Sequence, residues 1–234
     1  MKLLLIIPPL LLSGGLFILW RRWRRAVRAE FIRSYVLPKG LFEKLRAKRP
    51  ELDLKDCQLV SQALRQFFLT HLKSNFGFVS MPSQVTDDLW HEFILYTKHY
   101  EHFCKRAFGR FFHHSPAAVL GSRSASNVGL RRCWWFACLE ENINPRKPTR
   151  LPLLFAIDAK LKIADGFHYA PDCKSLNNPQ NSDGGVTYCG GDFSSSSIDG
   201  STEGFGDNAS GDFSFSDGGD SGGGCGGGCG GGGD

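Results

Sequence analysis

Acidic residues are nearly missing from the beginning of this sequence and basic residues from its end. Residues 1–50 carry 2 Asp/Glu against 12 Lys/Arg, residues 172–234 carry 10 against 1, and residues 51–171 carry 11 against 15. The formal net charge of +5 is therefore +10, +4 and −9 laid end to end. Such an order argues against one soluble enzyme domain filling the chain, and points to a membrane or nucleic-acid contact at one end and a solvated tail at the other. Several catalytic signatures are absent as well. Residues 40–171 hold no Gly-rich phosphate loop, no GxSxG elbow and no HExxH pair, so P-loop, α/β-hydrolase and zincin chemistry are excluded there. Residues 40–170 hold no alternating run of the kind a half-buried strand needs.

Charge is also missing from residues 3–20, LLLIIPPLLLSGGLFILW. As a helix these would rise about 27 Å, close to the hydrocarbon thickness of a bilayer. The apolar run continues through Trp20 into Arg21, Arg22, Trp23, Arg24 and Arg25, the pattern of a stop-transfer anchor. The alternative is a cleaved export signal ending near Ser13–Gly15. With an anchor over residues 1–20, the basic excess on its carboxyl side places the remainder in the cytoplasm and the amino terminus outside, at the inner membrane. Residues 21–39 then form a basic juxtamembrane helix, and Arg21–Arg25 contact anionic lipid. Nucleic acid is the weaker reading of this cluster, because the charges adjoin a hydrophobic span.

The middle of the chain is helical in its periodicity. Trp20, Trp23, Val27, Phe31 and Tyr35 predict one apolar stripe ending at Pro38, and a short helix covers Leu41–Lys48. A stronger pattern starts at Leu54, with Asp53 as its cap. One long helix is predicted from Ser83 or Thr86 to about Phe108, closed by Gly109; residues 121–126 read as a loop, and helices follow over Leu130–Glu141 and Leu153–Ile163. The expected fold class is all-α: a bundle of about five helices over residues 40–171. From residue 172 onward aliphatic residues almost vanish, and residues 184–234 hold 20 of the 28 glycines, so residues 172–234 are expected to form a disordered acidic tail and a flexible segment for a protein partner. Cys225 and Cys229 make one CxxxC pair near the end, without the second pair of a zinc knuckle.

Potential ligands concentrate in DDLWHEFILYTKHYEHFCKRAFGRFFHH, residues 87–114. Asp87 and His91 at i,i+4 share a helix face, as do His99 and His102 at i,i+3. His113 or His114, returning after Gly109, is expected to reach the His99/His102 pair more easily than His91; a metal site on Asp87 and His91 would take His113 or His114 as its third ligand, with zinc as the ion and Glu92 as an acid or base. A hydrogen bond from the His91 ring to Asp87 is the alternative that needs no metal. On a cytoplasmic domain the cysteines are expected to be free thiols, buried small apolar residues or metal ligands, and a redox pair of Cys133 and Cys138 is disfavoured by their offset of five.

VTDDLWHEFILYTKHYEHFCKRAFGRFFHHSP at 85–116 and CWWFACLEENINPRKPTRLPLLFAIDAKLKIADGFHY at 133–169 resemble the bacterial glycine-rich domain-containing proteins, and more distantly the plant glycine-rich domain proteins. The resemblance implies signature positions at Asp87, Trp90, His91, Tyr100, Cys104, Gly109, His113 and His114. It omits His99 and His102 and implies no reaction. The sequence therefore leads to two expectations: a membrane-anchored binding or scaffold module with a flexible acidic tail, or a metal-dependent protein using Asp87, His91, His113 and His114.

Overall fold

A computed structural model describes residues 7–114, 123–171 and 187–189. Its elements in chain order are α1 (Ile7–Ser34), α2 (Leu41–Lys48), α3 (Leu54–Lys73), α4 (Gln84–Leu95), α5 (Thr97–Ala107), α6 (Arg123–Glu140), α7 (Leu153–Lys160), β1 (His168–Ala170) and β2 (Thr187–Cys189). The all-α expectation holds in outline, with six helices after α1 instead of about five.

Helix α3 is the hub, packing against α1, α2, α4, α6 and α7. Its apolar residues recur at three and four, so one face buries Val60, Leu64, Phe67, Phe68 and Leu72. Asp53 starts it in a capping box: its carboxylate accepts from the Asp56 N–H at 2.7 Å, and Asp56 accepts from the Asp53 N–H at 3.0 Å. Around Phe68 the rings of Trp90, Phe93, Phe103, Phe108 and Phe112 all lie within 6.5 Å. This aromatic centre holds α3, α4, α5 and the turn after α5 together.

Helix α1 is continuous through Gly14 and Gly15 and enters the domain only with its last turns. Trp20, Trp23 and Val27 are exposed, while Ala29 and Ile32 are buried. The expected single stripe is therefore corrected: its first three members face outward, and only Phe31 and Tyr35 pack inward, against Phe103 at 5.9 and 4.8 Å. Among the described residues no helix is long and apolar enough to cross a membrane. Residues 3–6 of the expected span lie outside the described residues.

Helices α3 and α5 both run antiparallel to α1. Arg65, midway along α3, donates to the Tyr35 carbonyl at 3.0 Å, and Arg25 donates to Asn75 at 2.8 Å just beyond the carboxyl end of α3. Tyr35 reaches the His99 carbonyl early in α5, and Arg28 lies against Gly109 after its end. The loop at 75–78 and the turn from Gly109 thus sit together beside Arg25 and Arg28.

The long helix expected to run to Phe108 is two helices. Tyr96, with φ −79° and ψ 58°, leaves the helical region between α4 and α5. On one straight helix Trp90 and Tyr100 would be about 15 Å apart along the axis. Here the Trp90 Nε1–H donates to the Tyr100 hydroxyl at 3.1 Å, a closure that requires the break. The predicted loop at 121–126 is also corrected, since α6 begins at Arg123. Thr187–Cys189, expected in the disordered tail, pairs in parallel with His168–Ala170, a short strand pair among the described residues. The rest of the tail, including Cys225 and Cys229, lies outside the described residues.

Two buried carboxylates fix α4. Asp158 of α7 accepts from Ser83 Oγ (2.7 Å) and from the N–H groups of Gln84 (2.7 Å), Val85 (3.2 Å) and Phe167 (2.9 Å), placing negative charge at the α4 amino end. Asp88 accepts from Lys48 at 2.5 Å and Arg49 at 2.8 Å, tying α4 to the end of α2.

Candidate metal centre

Asp87 stands on the first turn of α4, and His91 follows one turn later on the same face. The third member arrives from another part of the chain. Gly109, at φ +77°, ends α5 in the left-handed region that favours glycine, and its N–H donates to the Cys104 carbonyl at 3.1 Å. A side chain at position 109 would also meet the Arg28 guanidinium at 2.9 Å. The chain then turns back, and Phe112 enters the aromatic centre, stacked on His71 at 3.8 Å and on Trp90 at 5.1 Å. Tyr100 donates to the Phe112 carbonyl at 2.5 Å while accepting from Trp90. His114 is thereby carried over the Trp90 ring, 4.6 Å away, and toward Asp87.

The His114 Nε2–H donates to Asp87 Oδ1 at 3.0 Å, and His91 Nδ1 lies 3.3 Å from Asp87 Oδ2. The two imidazoles are 4.2 Å apart between ring centres. One ligand atom from each of Asp87, His91 and His114 lies within 4.8 Å of the others. At zinc–ligand distances of about 2 Å, one ion can reach all three after small rotations. The cluster is partly open: the side chains of His91, Asp87 and His114 are 45%, 22% and 16% exposed. Two imidazoles and one carboxylate form a donor set of intermediate softness that suits zinc and leaves a fourth tetrahedral position free.

Of the four ligand candidates from the sequence, the structure gathers Asp87, His91 and His114. His113 is separated from them; its ring is exposed and packs on Phe111 at 4.8 Å. His99 and His102 are exposed on α5 and outside the cluster, and the expectation that the returning histidines reach this pair more easily than His91 is corrected, since it is His91 that His114 meets. Glu92, one residue past His91, lies about 100° around α4 and is not in the three-ligand group.

Of the five expected signature positions outside the cluster, four surround the Phe112 turn and His113 does not. Trp90 and Tyr100 hold the Phe112 turn, Gly109 permits it, and Cys104 is buried beneath it. Burial, which outweighs the opposing Phe112 and Tyr100 hydrogen bonds, raises the Cys104 thiol above its ordinary range. Burial likewise pushes Cys133 and Cys138 up to about 12, so these thiols are packing groups with little thiolate character.

Sequence reasoning missed three supporting residues. Asp158 caps α4 from about seventy positions away, with no local signal. Phe112 is one of two adjacent phenylalanines, of which only it turns inward. His71 follows the α3 periodicity as a core position would, yet it is a titratable group under the turn. Burial, partly offset by its contact with the Gly77 carbonyl, lowers its pKa to about 4.

No curated protein and no solved structure matches the chain. Residues 27–193, which include every helix of the domain and both strands, match the family model described as UCP032817-like, and the chain belongs to that family.

Proposed function

We propose that this protein is a membrane-tethered helical module that binds one zinc ion through Asp87, His91 and His114. The observation that carries the proposal is the meeting of two imidazoles and a carboxylate within 4.8 Å, supplied by α4 and by a turn 23 residues further along the chain. A hydrogen bond between Asp87 and His91 alone would require only one helix. Here a glycine turn, a buried tyrosine hydroxyl and a stacked phenylalanine all serve to bring in His114.

Three protein ligands leave zinc one open position, which a partly exposed site can offer to water or to a donor from a partner. The proposed role is therefore metal binding with an exchangeable fourth ligand. The tether is residues 3–20, with Arg21–Arg25 against anionic lipid, the amino terminus outside and the domain in the cytoplasm. The acidic tail is proposed as a flexible segment for a protein partner.

Zinc titration of the full chain in detergent against a chromophoric competitor tests the metal site. One equivalent should bind, with affinity lowered at least tenfold in Asp87→Ala and in His114→Ala and unchanged in His113→Ala. An undiminished affinity in all three variants would refute the site. Protease protection in sealed inner-membrane vesicles tests the topology, and a domain shielded on the periplasmic side would overturn it.

A further inference from the structure

We propose that the end of the folded domain formed by residues 75–78 and 106–111 is a second membrane contact, which docks on an anionic lipid surface. The inference rests on the membrane tether proposed above but concerns a different part of the chain.

Its first support is position. Arg25 and Arg28 lie five and eight residues beyond Trp20 on the continuous helix α1. That places them about 8–12 Å along the axis from the expected interfacial tryptophan, and the headgroup layer is roughly 5–8 Å deep. The 75–78 loop and the 109–111 turn are pinned at this level, through Arg25 to Asn75 and through the close approach of Arg28 to Gly109. Because α1 enters the core at Ala29 and Ile32, the domain cannot swing away from the tether without unpacking.

The second support is charge. Both segments fall in stretches that contain no Asp or Glu, residues 57–86 and residues 102–139. Arg110 stands over the ring of Phe76 at 4.3 Å, which holds its guanidinium group at this end. Burial, and after it the neighbouring Arg24 one turn earlier on α1, lower Arg28 below the usual arginine range. Third, Phe78 is 38% exposed on the 75–78 loop, where its carbonyl accepts from Arg132 at 2.5 Å. Basic groups with an exposed aromatic, held at the outer edge of the headgroup layer, fit an anionic bilayer surface.

The test is hydrogen–deuterium exchange on the full chain in nanodiscs of phosphatidylcholine alone or with 30% phosphatidylglycerol. Amides of 75–78 and 108–111 should exchange about fivefold more slowly in the anionic discs. The gain should disappear in Arg110→Glu and halve in the milder Arg110→Gln, with native circular dichroism retained. Equal exchange in the two lipids would overturn the proposal, and so would slowing by a short DNA duplex in place of anionic lipid. Alkaline carbonate extraction reads the tether separately. A chain that is extracted, yet still shows lipid-dependent slowing, would refute the anchor and support the surface; a chain that resists extraction without the slowing would do the reverse.

Discussion

Replacing Tyr100 with Phe removes one oxygen atom and tests how the third ligand is delivered. The hydroxyl is buried, accepts from Trp90 Nε1 at 3.1 Å and donates to the Phe112 carbonyl at 2.5 Å. Burial, reinforced by nearby Cys104, raises its pKa far above the ordinary tyrosine value, so it stays a neutral donor at any working pH. In Tyr100→Phe the ring packing against Phe93 and Phe111 is kept, but the indole N–H of Trp90, a residue 3% exposed, loses its partner. An unsatisfied buried donor costs about 1–3 kcal/mol, and the released Phe112 carbonyl adds to this, so a loss of about 2–4 kcal/mol is expected by urea unfolding. With the 109–114 turn less well held, zinc affinity should fall by about 10–100-fold, the range typical of groups that orient metal ligands. Competition titration on the same sample reads that change. A variant that loses stability but binds zinc as tightly as the parent would refute the idea that this hydroxyl positions His114.

Three further expectations address other parts of the fold. The His71 pKa is about 4 in the folded chain against 6.5 in the unfolded one, so between these values the unfolded state binds more protons and stability falls as pH drops through the window. The full loss is about 3 kcal/mol. His71→Phe, which keeps the stack on Phe112, should flatten that part of the pH–stability curve, and an unchanged slope would contradict the assignment. Asp158→Asn leaves one acceptor oxygen among four donors and should cost about 2–4 kcal/mol, with fraying of α4 visible as faster amide exchange at 84–87. Cys104, Cys133 and Cys138 should resist a disulfide reagent in the native state and react only on unfolding; rapid native labelling would show that the core opens at these positions.

Much of this architecture was legible in the sequence because it is written locally. The three-four spacing of α3 and the Asp53 cap, the Gly109 stop and the i,i+4 pair of Asp87 and His91 need only helical geometry. The break at Tyr96 was not legible, since every residue around it suits a helix; the Trp90–Tyr100 hydrogen bond that accompanies it is a tertiary contact. The choice of His114 over His113 was hidden for the same reason. Both follow the turn, and the inward placement of Phe112 decides which ring faces Asp87. The pairing of Thr187–Cys189 with His168–Ala170 spans three residues, too short to give an alternation signal amid glycine and serine.

Zinc K-edge X-ray absorption on the full chain loaded with one equivalent tests the metal site most directly, because the chain offers two chemically distinct places for the ion. Binding at Asp87, His91 and His114 should give a shell of nitrogen and oxygen at about 2.0–2.1 Å, with imidazole outer-shell scattering from two histidines and no sulfur. A sulfur shell at about 2.3 Å would place the ion on cysteine, with the Cys225 and Cys229 pair as its obvious source, and would contradict the site built by α4 and the Gly109 turn.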